Sequence, residues 1–171
     1  TVTDENDVPV ILSAAATVNE NQTIVFTVTV TDQDVNDTIT YSLSGGADAG
    51  KFDIDSSTGV VTFKTAPDYE APGSSLGTNV YTIIVTATDD GTGNLTATQT
   101  ITITVTDVNE IPVITGGTTA AANAAENQSS AIDVDATDVD GDTITYTLSG
   151  GADVGKFDID SSTGVVTFIT A

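Results

Sequence analysis

Nearly all the side chains in this sequence that could do chemistry are carboxylates, and they fall in clusters. Asp32 and Asp34 form a D-x-D, which Asp138 and Asp140 repeat. Asp68 and Glu70 lie in "PDYE", Asp89 and Asp90 in "TATDDG", and Glu20 in "NENQ", echoed by Glu126 in "AENQ". Two further knots precede prolines: Asp4, Asn6 and Asp7 in "TDENDVP", and Asp107, Asn109 and Glu110 in "TDVNEIP". The chain carries 25 acidic residues against three lysines (Lys51, Lys64, Lys156), with no histidine or cysteine, and a formal charge of −22. The available donors are therefore oxygens. Zinc would call for His or Cys. Magnesium takes few protein oxygens and keeps its waters, whereas calcium takes six to eight oxygens from carboxylates, amides and carbonyls. Calcium is the natural candidate cofactor wherever enough of these groups converge.

The same composition excludes several functions. Nucleic acid and anionic lipid both need Lys or Arg to neutralise phosphate, so neither is an expected partner. No run of 18 apolar residues offers a membrane span, so no direct membrane insertion is expected of this segment. A carboxylate pair can hydrolyse a glycoside, but the aromatic platforms and the His, Cys or Arg of a catalytic cleft are missing; the chain reads as no enzyme. Without cysteine there is no disulfide framework. "DVDGD" at Asp138 fails as an EF-hand loop, because Thr143 and Ser149 stand where Gly and Glu are required. Asp48, Asp53 and Asp55 read as turn residues.

Repetition sets the organisation. Leu43–Ala66 returns as Leu148–Ala171 with two of 24 positions changed, Ala49/Val154 and Lys64/Ile169. A period of about a hundred residues is a whole domain rather than a solenoid turn. Within a repeat the period is two. Ile24, Phe26, Val28 and Val30 alternate with Thr27 and Thr29, Ile39, Tyr41 and Leu43 with Thr40 and Ser42, Tyr81, Ile83, Val85 and Ala87 with Thr82 and Thr86 on the other face, and Ile101, Ile103 and Val105 with threonines. Such alternation predicts antiparallel strands with one dry face. Phe52–Ile54 and Val60–Phe63 add two short strands about "DSSTG", where Gly59 can take a left-handed turn. With a leading strand near Val10–Leu12 this makes seven strands, the count of an immunoglobulin-like sandwich. The predicted division is a tail and linker of a preceding repeat over 1–7, a complete repeat over 8–107, and the N-terminal part of a following repeat over 108–171 that lacks the last two strands. The chain reads as a piece of a longer polypeptide.

Strand parity distributes the acids. The second and sixth strands end at one pole, which places Asp32 and Asp89 together beside the entering Asp4–Asp7. Glu20, Asp68, Glu70 and Asp107 fall at the opposite pole. Tandem stacking would bring unlike poles together at the linker. Two bare carboxylates about 4 Å apart repel by about 4 kcal/mol at an effective dielectric of about 20, and metal ions would turn that repulsion into a clamp.

Glu-Asn, D-x-D, "DYE", "A-x-D-x-G" and a D-x-N-D/E linker before Pro, in that order, resemble a cadherin repeat, and "FDIDSSTGVV" resembles its core. Missing cysteines and the spelling "DVNEIP" make the chain similar to the cadherin-like repeats of large bacterial surface proteins. The resemblance implies an all-β fold of seven-stranded Greek-key sandwiches in tandem. It also implies a central junction ligated by Glu20, Asp68, Glu70, Asp107, Asn109, Glu110, Asp138 and Asp140, with a carbonyl from Val108. At an N-terminal junction Asp4, Asn6 and Asp7 would meet Asp32, Asp34 and Asp89. The linker has one residue fewer than the family's usual length, so two or three calcium ions per junction are expected.

The implied function is a calcium-stiffened rod in a secreted or cell-surface bacterial adhesin. Two rivals stand beside it: an architectural subunit of a surface filament or layer, and a calcium-dependent carbohydrate-binding module, for which Tyr69 is the one candidate exposed aromatic. Neighbouring repeats are the implied internal partners. The sequence leaves external partners open between other surface proteins, glycans and self-association.

Overall fold

A computed structural model of the chain describes residues 5–115 and 121–170. It divides into two compact units, Thr1–Val108 and Asn109–Ala171. The first is an all-β sandwich. Its strands are β1 (Val10–Ile11), β2 (Ala15–Asn19), β3 (Ile24–Thr27), β4 (Val30–Thr31), β5 (Thr40–Gly45), β6 (Phe52–Ile54), β7 (Val60–Phe63), β8 (Val80–Thr88) and β9 (Thr96–Thr106). One sheet runs β2-β9-β8-β5, the other β3-β7-β6, and β1 pairs with β4. Hydrogen-bonded neighbours such as β5 and β8 are not consecutive, as Greek-key crossovers require.

The seven predicted strand positions are present, but two are divided. The leading strand begins antiparallel to β4 and then changes sheets, so that Ala15–Asn19 runs parallel to β9. The alternation prediction missed β2, whose "AATVN" carries little apolar periodicity. The crossing is tied by the Leu12 N–H to the Thr29 carbonyl at 2.8 Å and by the Thr29 N–H to Ser13 Oγ at 3.0 Å. The second position is divided into β3 and β4. A register shift between Ile24 and Phe26 sets two residues of β3 against one of β7. Such a bulge reverses the facing of the residues before it. Ile24, predicted to face inward, is accordingly 68% exposed, and Val25 packs against the core instead.

Elsewhere the alternation holds. Ile83, Val85, Ile101 and Ile103 are fully buried and interlock with Val61 from the facing sheet. Phe52, Phe63 and Tyr81 meet with ring centroids 4.3–5.8 Å apart, Tyr81 edge-on to both. Gly59 adopts φ 71°, and a Cβ there would press on the Tyr41 ring at 3.1 Å. Asp55 is the turn residue expected, its Oδ1 accepting the N–H groups of Ser57 and Thr58. Asp53 instead lies within β6, where Lys64 pairs with it at 3.7 Å. Asp48 is no simple turn residue either. It is 3% exposed, and its two oxygens accept the N–H groups of Ser75 (2.6 Å) and Thr82 (2.8 Å).

The second unit rebuilds part of this plan. β10 (Val113–Ile114) pairs with β12 (Ala136–Thr137), and β11 (Ser130–Asp133), β14 (Val165–Phe168) and β13 (Phe157–Ile159) form a second sheet. The bulge recurs between Ser130 and Ile132. "TITYTL" at 143–148, the copy of β5, is not a strand. In the first unit β5 forms its ladder with β8; among the described residues of the second unit no strand pairs with 143–148.

Candidate metal centre

Strand pairing sends the acidic clusters of the first unit to two poles, and the parallel pairing of β2 with β9 places Glu20 and Asp107 at the same one. At the exit pole β2 is followed directly by Glu20, which is 2% exposed. Its Oε1 accepts the Val108 N–H at 3.0 Å and its Oε2 the Tyr69 N–H at 2.9 Å. Asn21 follows with φ 60°, a left-handed turn that Asn tolerates better than other side chains. That turn sends the chain back into β3 and leaves Glu20 facing the loop after β7. One carboxylate oxygen each from Glu20, Glu70 and Asp107 lie within 4.8 Å of one another. Like charges this close repel strongly unless a cation stands between them. Each oxygen of Glu20 has a second lone pair beyond its N–H partner. Asp68 is not part of this cluster; its Oδ1 accepts the Ala71 N–H at 2.9 Å and shapes the loop that carries Glu70.

The entry pole is built from the ends of β4 and β8, the start of β5, and residues 6 and 7. The Asp7 N–H donates to Asp34 Oδ2 at 2.6 Å, and the Asp34 N–H to Asp32 Oδ1 at 2.9 Å. Asp89 is 2% exposed. Its Oδ1 accepts three donors, Asn6 Nδ2 and the N–H groups of Gly91 and Leu95, at 3.0–3.1 Å. Its Oδ2 is buried with no hydrogen-bond partner, and so is Oδ2 of Asp32. A buried carboxylate oxygen left without a donor is costly. An oxygen-seeking cation would satisfy both. Asp4, predicted to join this pole, lies outside the described residues.

Two carboxylates here were not singled out as ligands. Asp90 Oδ1 accepts the Thr38 N–H at 2.6 Å. Asp37 has a buried Oδ2 without a partner. Burial first, and then the charges of Asp34, Asp90, Asp89 and Asp32, raise its carboxyl above the usual range. The available signal was "DTITY", which repeats Asp37 as Asp142 in register.

In the second unit the Glu110 N–H donates to Asp140 Oδ2 at 2.7 Å, and the Asp140 N–H to Asp138 Oδ1 at 3.0 Å. These are the bonds that Asp7, Asp34 and Asp32 make in the first unit. Asp140 Oδ1 is buried without a partner. Asn109 Nδ2 donates to the Glu110 carbonyl.

The cadherin domain model matches residues 14–106, more than half of the chain. The chain belongs to the cadherin domain family. It is 37% identical over 141 residues to human Protocadherin Fat 1, covering 79% of this chain and 3% of that protein. It is 30% identical over 191 residues to mouse Cadherin-23, covering 98% and 5%. The chain thus spans only a few per cent of the length of these relatives. Among solved structures, human Protocadherin-24 EC1-2 superposes with a TM-score of 0.59 at 22% identity, covering 96% of this chain and 78% of that one. Mouse Cadherin-23 EC22-24 gives 0.58 at 24%, covering 98% and 55%. These cadherin structures share the immunoglobulin-like sandwich fold. Among the described residues no helix is long and apolar enough to cross a membrane.

Proposed function

We propose that this chain is a calcium-binding segment of a rod of cadherin repeats in a secreted or cell-surface bacterial adhesin. The observation that carries the reading is the cluster at the exit pole, where Glu20, Glu70 and Asp107 bring three carboxylate oxygens within 4.8 Å. In this reading Asp107, Val108, Asn109 and Glu110 form the linker to the following repeat, and two or three calcium ions there engage Asp138 and Asp140 as well. Asp68 acts by shaping the Glu70 loop. Asn6, Asp7, Asp32, Asp34 and Asp89, with Asp4, serve the preceding linker. The role is mechanical rather than catalytic: calcium removes the repulsion that would splay the linker and holds one repeat against the next. Extracellular modules bind calcium at about 10⁻⁴–10⁻³ M, which makes the rod stiff outside the cell and loose inside it. The bacterial assignment rests on the absence of cysteine and the spelling of the linkers; the relatives named above are from animals.

Small-angle scattering during a calcium titration tests this. Addition of calcium should fix the maximum dimension at an extended value, and chelation should release it. A scattering profile and a melting temperature that both ignore chelation would overturn the proposal.

A further inference from the structure

The entry pole holds a carboxylate that the D-x-D and "A-x-D-x-G" motifs do not include. Asp37 sits in the turn between β4 and β5, fixed by its own N–H to the Asp34 carbonyl at 2.9 Å. The next residue is fixed as well, because the Thr38 N–H is held by Asp90. Asp37 Oδ2 is thereby buried at the pole with no donor against it. Gly91 shows what it faces: a Cβ on Gly91 would collide with Asp37 Oδ2 and with Asn6 Oδ1. Two oxygens crowding one point stand within about 4 Å of each other, a separation that two ligands at 2.3–2.6 Å from one calcium ion can span. Neither of these oxygens can donate to the other when Asp37 is ionised. The 2%-exposed Asp89 contributes an independent observation, since its Oδ2 is also buried and unpartnered while its Oδ1 is saturated by three donors.

We propose that Asp37 is a direct ligand of a divalent cation at the entry pole, which makes that pole a four-carboxylate site (Asp32, Asp34, Asp37, Asp89) with Asn6 Oδ1, assembled from residues 6–91 of the first unit alone. The proposal rests on the calcium reading above and extends it. A fourth carboxylate raises the ligand charge, one of the quantities by which oxygen sites tune calcium affinity. The tertiary setting matters. Asp142, the copy of Asp37 in the second unit, is exposed, and among the described residues of that unit nothing is placed as Asp89, Asp90 and Gly91 are in the first.

The test is calorimetric titration of the full chain with calcium chloride, wild type beside Asp37→Asn, joined to melting curves in calcium and in chelator. Asp37→Asn keeps the side-chain shape and removes one charge. It should weaken one class of calcium sites by about tenfold or more. In chelator it should melt at or above wild type, because one of several mutually repelling carboxylates is gone; in calcium it should melt below wild type. Calcium binding by wild type with an unchanged Asp37→Asn isotherm would overturn the proposal and leave the rod reading standing. An equal loss of melting temperature with and without calcium would also overturn it, by showing a purely structural role. Absence of calcium binding by wild type would overturn both.

Discussion

Single positions carry most of the functional case. Gly91 ends the "TATDDG" run for a reason of space: the oxygens of Asn6 and Asp37 occupy the volume a Cβ would need. Glu20 is buried because its two oxygens each receive a backbone N–H, one from the loop after β7 and one from the residue after Asp107. It therefore holds two chain segments in place before any cation arrives. Asp107 has a different standing. It is exposed and belongs to the three-carboxylate cluster. Asp107→Ala is expected to weaken calcium binding about tenfold by removing a charged ligand, and to leave the sandwich folded. Calcium titration followed by circular dichroism checks both halves of that expectation; loss of the fold would assign Asp107 to the core instead. The acidic clusters were legible as types and in order. Asp37 was not, because the repeated "DTITY" shows only that the residue recurs and does not say that its oxygen lies close to Asn6 Oδ1, some thirty residues earlier. Asp68 was legible as an acid of "PDYE", but not as the one whose Oδ1 accepts the Ala71 N–H.

Elements show where periodicity is enough. β8 and β9 alternate strictly, pair from Val80/Thr104 to Thr88/Thr96, and bury Ile83, Val85, Ile101 and Ile103 as the pattern requires. Ile101→Ala should destabilise the first unit by about 2–5 kcal/mol, the usual cost of emptying a fully buried aliphatic site, measured by denaturant unfolding. Periodicity failed at Ile24 and at β2. At Ile24 a one-residue bulge reversed the facing; at β2 the pairing comes from a parallel partner more than eighty residues away. The two hairpin turns give a pH prediction. Ser162 and Thr163 hold the Asp160 carboxyl down, to about 2 from 3.8, and Ser57 and Thr58 lower that of Asp55 in the same way. The folded value lies below the unfolded one, so this stabilisation is complete above pH 3.8 and fades as pH falls toward 2. Asp160→Asn should lower the melting temperature near neutrality and flatten its fall between pH 3.8 and 2.

At the scale of the whole chain the controlling facts are a charge of −22 and carboxylates gathered at defined poles. At 10 mM calcium, a site with a dissociation constant of about 10⁻⁴–10⁻³ M adds about 1.4–2.7 kcal/mol to the folded state. For a sandwich of this size that should appear as a rise of several degrees or more in melting temperature, reversed by chelator and absent with sodium at equal ionic strength. The duplication allows a direct comparison of sequence with setting. "LSGGAD" occurs in both repeats, and both copies are followed by the same short 3-10 turn, Ala49–Lys51 and Val154–Lys156. Asp48 is nevertheless buried on two N–H groups, whereas Asp153 is exposed and paired with Lys156 at 2.7 Å. The sequence alone determined what is local: strand periodicity, the Asx turns, the left-handed Gly59, and the oxygen-only chemistry. Tertiary structure decided what depends on distant partners. β8 and the loop before it turn Asp48 into a buried clasp and "TITY" into a strand, and the end of β8 gives Asp37 its place beside Asn6. The physical reason is that a buried carboxylate or an unpaired strand is stable only once its hydrogen-bond partners have arrived.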